Sequence, residues 1–456
     1  MKIFSRRAWL SDGWCNNVRI TIDGTGHIAT VEKNVQAQPA DTRIDTLIPA
    51  LANLHSHSFQ RAMAGMTEYK AAGQDSFWTW RTLVYQFLEH LTPEHIQAIA
   101  GLVFMEMLEA GYASVGEFHY VHHQSGGTHY DNQAELSLRI LKAAKDTGIG
   151  LTHLPVLYTY GGAEQKALRG GQLRFGHAVD EFVRLIDALE PAMRDARADT
   201  RLGIAPHSLR ATAPDQLKEV VSHFSGKPIH IHIAEQPKEV QVITSWLGAR
   251  PVEWLLSNHA VDTKWCLIHA THMTKEETVH MARSGAVAGL CPVTEANLGD
   301  GPFNGPQYLA EHGAFGVGSD SNIRISLTEE MRMLEYSQRL RDLNRNVLVN
   351  TEGSVGQTLY LGAAAGGAQA LDRKAGEIRE GLLADLTAID SAHCHLYALN
   401  EAQLFDGLCF SADDTVVTDV WSAGHHVVAD RRHKSREEIV ASFKKAMNAL
   451  KDRLST

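Results

Sequence analysis

Leu47-Ile48-Pro49-Ala50-Leu51-Ala52-Asn53-Leu54-His55-Ser56-His57 is an apolar run that stops at two histidines one residue apart. A strand turns successive side chains to opposite faces, so His55 and His57 leave its end on the same side. The pattern recurs downstream. Ser114 to Phe118, Gly150 to Leu157, Arg201 to Ala205, Pro228 to Ile233, Trp265 to Ile268, Ala286 to Leu290 and Ala314 to Gly318 are further short apolar runs, separated by longer stretches with helical periodicity. With Leu47 to Leu54 they make eight strand and helix units in series. That order predicts an α/β fold, a (β/α)8 TIM-type barrel, with catalytic groups at the C-terminal ends of its strands.

On either side of the barrel the pattern changes. Val18 to Ile22, a turn at Asp23-Gly24 with Gly26, and His27 to Val31 read as short strands, as do parts of Gly376 to Asp390, Thr415 to Val420 and His426 to Val428. Neither set has enough apolar surface for a core of its own. The two are expected to pack as one discontinuous, β-sandwich-like small domain of residues 1–48 plus 371–434, beside a barrel of residues 49–370. Residues 435–456 form a charged amphipathic closing helix.

Of the 456 residues, 44% are hydrophobic and 21% charged, and the net charge of −10 is spread without blocks of one sign. This composition fits a chain with a large core and offers nothing to attract nucleic acid or a membrane surface. Cysteines at 15, 266, 291, 394 and 409 are odd in number and lack a CxxC pair, so neither a disulfide framework nor a thiolate zinc cluster is indicated. Met1 to Trp14 carries Arg6-Arg7 but no secretory apolar stretch, and no run is long enough to cross a bilayer. A cytoplasmic protein is expected.

Histidine supplies 25 residues, so spacing alone carries little weight; three His-x-His pairs occur, at 55/57, 230/232 and 393/395. Position decides among them. The first closes a barrel strand; the last follows Ile389-Asp390 in the small β unit and reads as surface. Within the middle pair, His232 lies nearer the strand end and is the better ligand, while His230, one layer deeper, reads as a buried, hydrogen-bonded histidine. Glu235, three residues beyond His232, can reach the same mouth. His269 ends the sixth strand and Asp320 the eighth; alone each is open to a packing or capping role. Together, His55, His57, His232 and Asp320 form a mixed nitrogen and oxygen set suited to one divalent ion, zinc by preference, with Fe2+ or Mn2+ compatible.

His55-Ser56-His57, His232 with Glu235, His269 and Asp320, on strands one, five, six and eight, resemble the amidohydrolase superfamily. The resemblance is best to its mononuclear deaminase branch, because Ala205-Pro206-His207 ends strand four where a two-metal enzyme would carry a lysine. Asn53 to Arg61, Gly116 to Tyr120, Ala205 to Arg210, His230 to Gln236 and Gly318 to Asn322 are similar, over nearly the full chain, to the formimidoylglutamate deiminases. The resemblance implies hydrolysis of N-formimidoyl-L-glutamate to N-formyl-L-glutamate and ammonia in histidine degradation, by a cytoplasmic homodimer. It also implies Glu235, His269 and Asp320 as catalytic groups, and Gln60, Arg81, Tyr120, His207 and Arg210 as substrate-binding residues. A substrate with two carboxylates suits arginine's bidentate fork. Arg81 falls in the long insertion after strand one, expected to act as a lid over the mouth. Two other readings share this sequence: a deaminase of the same branch acting on a purine, adenosine-derived or chlorinated ring, and a catalytically silent barrel used for binding.

Overall fold

The computed structural model describes residues 1–66, 68, 84, 85, 87–349 and 352–454. Its barrel strands, in order, are Leu51–Ser56, Tyr112–His119, Gly150–Leu157, a fourth in two short pieces (Arg201–Leu202 and Ala205–Pro206), Ile229–Ile233, Trp265–His269, Val287–Leu290 and Phe315–Val317. All pair in parallel, and strand eight returns to strand one where Val317 meets Asn53. Bridges from Ile204 to Ile229 and from Ser208 to His232 join strand four to strand five and close the ring. Strands one, two, three, five and six are buried along their whole length. That is why they read as continuous apolar runs: the barrel interior covers one face and the helices cover the other.

The helices alternate with these strands as the periodicity requires. Pro93–Glu109 starts on a Thr92 cap with proline at its first turn, and Glu135–Thr147 ends at Gly148 in the left-handed conformation. The lid expected around Arg81 lies outside the described residues.

The second sheet has eight strands, in the order Arg432–His433, His425–Ala429, Val417–Ser422, Leu386–Ile389, Thr42–Pro49, Lys2–Leu10, Gly13–Ile22, Ile28–Glu32. The two terminal segments meet where Thr46–Pro49 runs antiparallel to Leu386–Ile389. Ile3, Val18, Ile20, Leu47, Leu386 and Trp421 form its own core. Helix Arg436–Leu454 closes the chain, with Met447 and Leu450 buried.

One expected element divides. Leu47 to Leu54 is two strands: Thr42–Pro49 belongs to the small sheet, and Leu51–Ser56 to the barrel. Ala50, whose N–H donates to the Asp385 carbonyl at 3.0 Å, is the switch between them. The run is buried on both sides of that switch, so its hydrophobicity carries no mark of the change of sheet.

Candidate active site

At the barrel mouth, strands one and eight are drawn together. The N–H of Asp320 donates to the His55 carbonyl, and that of His57 to the Asp320 carbonyl, each at 2.9 Å. Only glycine permits this at position 318, where a Cβ would lie 2.7 Å from the His55 backbone nitrogen and oxygen. The backbone then takes positive φ at Ala234, His269, Ala270, Asp320 and Asn322, at the ends of strands five, six and eight. Such strain persists where the surrounding bonds over-determine it, and it gathers at functional sites. Here Asn53, Ser319, Asn322 and Ser56 form that support, linked by bonds of 2.7, 2.6 and 3.1 Å.

His55, His57, His232 and Asp320 each bring one donor atom to within 4.8 Å of the others, and all four are buried. Nε2 of His232 and of His55 are 3.1 Å apart, and Oδ1 of Asp320 is 3.4 Å from Nε2 of His55 and 3.2 Å from Nε2 of His57. Nδ1 of His57 bonds the Phe118 carbonyl at 2.9 Å, and Nδ1 of His232 bonds the His207 carbonyl at 3.1 Å. A carbonyl only accepts, so both Nδ1 atoms carry protons, and in the neutral rings both Nε2 atoms present lone pairs inward. Lone pairs facing lone pairs at these separations fit a shared cation. Burial pushes His55 down to about 3, and burial with the neighbouring imidazoles pushes His232 well below the usual histidine range. The neutral rings a metal requires are thereby favoured.

Beside this cluster stand the other predicted groups. Oδ2 of Asp320 is 3.9 Å from Nε2 of His269, and Oε1 of Glu235 is 3.8 Å from the same nitrogen. Burial opposes a charge on His269, but Glu235, Glu295 and Asp320 outweigh it and raise the imidazole to about 10. Arg210 places Nη2 3.8 Å from Oε2 of Glu235. Gln60 donates Nε2 to the Tyr120 hydroxyl at 2.7 Å, while its own Oε1 is buried without a partner among the described residues. The His207 ring lies 4.9 Å from that of His232, tilted 44° to it. Gln60, Tyr120, His207 and Arg210 line one cavity with His57, His232, Glu235, His269 and Asp320. Arg81, the fifth substrate residue expected, lies outside the described residues.

His230 sits apart from this group, bonded to the Ala370 carbonyl at 2.8 Å, and His393 and His395 lie in a turn after strand Leu386–Ile389 of the small sheet. The sequence reading missed Tyr85, Tyr158 and Phe175, which wall the same cavity, and two buried carboxylates, Glu239 and Glu295. Oε2 of Glu239 accepts the Glu235 N–H at 3.1 Å, and its Oε1 is 4.0 Å from Nε of Arg210; burial raises its carboxyl. The only signal for Glu239 was its place one helical turn beyond Glu235.

Residues 46–427 match the family described as "Amidohydrolase family", and residues 1–45 match "Formimidoylglutamate deiminase HutF, N-terminal domain". A formimidoylglutamate deiminase of Pseudomonas aeruginosa is 45% identical over 452 residues, 99% of each chain. The chain belongs to the amidohydrolase family, among its formimidoylglutamate deiminases. The crystal structure of an amidohydrolase from Brucella melitensis superposes with a TM-score of 0.94 at 46% identity, covering 98% of this chain and 99% of that one. An adenosine deaminase from Xanthomonas campestris, crystallised with bound zinc, shares the fold alone: TM-score 0.82 at 20% identity, with 99% and 98% covered. The amidohydrolase match runs from the last strand of the N-terminal segment into the small sheet's C-terminal strands. It therefore takes in the whole barrel and every predicted site residue.

Proposed function

We propose that this chain hydrolyses N-formimidoyl-L-glutamate to N-formyl-L-glutamate and ammonia, using one divalent cation held by His55, His57, His232 and Asp320. The observation that carries the reading is the convergence of inward-facing imidazole lone pairs beside a cavity that also holds Glu235 and Arg210. Zinc is the cation we assign, on the preference of three nitrogens and one carboxylate oxygen for that ion. Bound there, the cation lowers the pKa of water from about 15.7 towards about 7 and so supplies a hydrolytic nucleophile at neutral pH.

The side chains do the rest. Asp320, with one oxygen towards the imidazole cluster and the other towards His269, takes the proton of the attacking water. Attack on the formimidoyl carbon builds a tetrahedral centre, which Nε2 of His269 holds by hydrogen bonding or charge. Both protons that the leaving nitrogen gains come from the water: Glu235 relays the one Asp320 took and the one on the tetrahedral hydroxyl, as the C–N bond breaks, the formyl C=O forms and ammonia departs. Arg210 pairs with a substrate carboxylate, with Gln60, Tyr120, His207 and Arg81 completing the grip. Glu239, with Oε1 4.0 Å from Nε of Arg210, sets a second carboxylate beside the guanidinium.

The sequence resemblance further supports a cytoplasmic homodimer working in histidine degradation, and no helix among the described residues is long and apolar enough to cross a membrane. Aromatic walls at Tyr85, Tyr158 and Phe175 keep ring amines as the competing substrates. The test is ammonia release from N-formimidoyl-L-glutamate and adenosine derivatives and chloride release from chlorinated triazines, before and after chelation and zinc return. Turnover confined to the acyclic diacid, lost on chelation and restored by zinc, is expected. Preference for a ring, or turnover that survives complete chelation, sinks the reading.

A further inference from the structure

The groups assigned to the site come from strands one, two, four, five, six and eight and the loops after them; strand seven contributes none of them. Directly after strand seven the chain turns into the short helix Pro292–Leu298, and Glu295 lies on its first turn, buried. Its Oε1 accepts the backbone N–H of Cys291 at 2.9 Å and stands 3.2 Å from Nδ1 of His269. Because Oε1 already accepts one N–H, the bond to the imidazole is completed by a proton on Nδ1. We propose that Glu295 is a positioning residue, which through this bond holds Nε2 of His269 towards Glu235 and Asp320, where the reaction takes place.

Two features of the surroundings give the bond work to do. His269 has φ of 68°, outside the strand conformation, so strand regularity does not fix the direction of its side chain. A histidine ring also has a second orientation about χ2, in which carbon stands where Nε2 stood. The hydrogen bond to Nδ1 is what separates these two orientations. Glu295 is itself held firmly. The Val293 N–H donates to Glu330 at 3.0 Å, and the Thr294 hydroxyl donates to the Ser319 carbonyl at 3.1 Å, next to Asp320. A carboxylate that orients a histidine by its far nitrogen is a recurrent device for both metal and proton chemistry.

The inference rests on the role given to His269 above, so the experiment separates the two. Glu295→Gln, His269→Gln and the double variant are compared with the parent protein, all zinc-loaded and with metal content measured. Glu295→Gln should lower kcat about 10²-fold with KM within about threefold. On the His269→Gln background the same change should cost less than about threefold, because the effect travels through the imidazole. A Glu295→Gln enzyme at parental kcat, or one losing the same factor with and without His269, overturns the proposal and leaves the reading of His269 intact. A His269→Gln enzyme at the parental rate overturns that reading. The parent protein gives a measurement independent of whether any variant folds: ¹⁵N spectra of the zinc-loaded enzyme should show a hydrogen-bonded proton on Nδ1 of His269, and a bare Nδ1 removes Glu295 from this role.

Discussion

Glu235 and Arg210 are 3.8 Å apart, yet they make separable contributions, and their variants should fail in different ways. Glu235→Gln keeps the size of the side chain and touches none of the four proposed metal donors, so metal content should be unchanged while kcat falls about 10² to 10⁴-fold, the span for a lost proton-transfer group. Metal analysis beside steady-state rates checks this, and an undiminished kcat removes Glu235 from the mechanism. Arg210→Lys replaces a planar fork by a point charge, which should raise KM about tenfold or more, near 1.4 kcal/mol, with a much smaller change in kcat. An unmoved KM places the carboxylate elsewhere. His55, His57, His232 and Asp320 were legible in the sequence because each ends an apolar run, and strand alternation with barrel geometry puts such ends together. Tyr158 and Phe175 were not, since an aromatic side chain after a strand is most often core. Glu295 was illegible for another reason: its partner is 26 positions away, and no local pattern links a helix carboxylate to a histidine on the neighbouring strand.

Small residues let elements pack closely at the end of the barrel away from the site. Helix Val355–Ala370 lies against strand eight, and a Cβ on Gly366 would stand 1.9 Å from the Phe315 carbonyl oxygen, a clash with backbone that no rotamer relieves. Gly366→Ala should therefore push the helix off the strand that leads into Asp320 and cost about 2 to 3 kcal/mol. Urea midpoints with and without zinc measure the effect. The metal-bound form should lose the larger share, and a midpoint unchanged in both forms shows that the helix yields freely. Eight strands were countable from sequence, since parallel barrel strands are apolar on both faces. Their limits were less so. The change of sheet at Ala50 and the interruption of strand four at Gly203-Ile204 depend on which neighbour each backbone group bonds, and hydrophobicity does not record that.

A buried cation is among the groups that join barrel and small sheet. Arg373, just past the last barrel helix and buried, donates to Asp199 at 3.0 Å, ahead of strand four, and to Asp385 at 2.9 Å, just before the central strand Leu386–Ile389 of the small sheet. Arg197 adds bonds of 2.9 and 3.0 Å to the same Asp199 and reaches the Ser422 carbonyl. Burial alone would push the Asp199 carboxyl up, but the charges and hydrogen bonds of Arg373 and Arg197 outweigh it, and the net displacement is below the usual aspartate value. A carboxyl depressed on folding contributes stability that is complete above its unfolded pKa, about 3.9, and is lost as pH falls through the lower folded value. Asp199→Asn removes that contribution at every pH and leaves Arg373 with a single carboxylate, at a cost of about 3 kcal/mol near neutrality. The difference in urea midpoint between parent and variant should thus be full from about pH 5 to 7 and narrow steadily below about pH 3.9. A difference that stays constant into acid would mean that Asp199 does not titrate against this pair, and that the variant's loss does not come from the charge of the carboxylate.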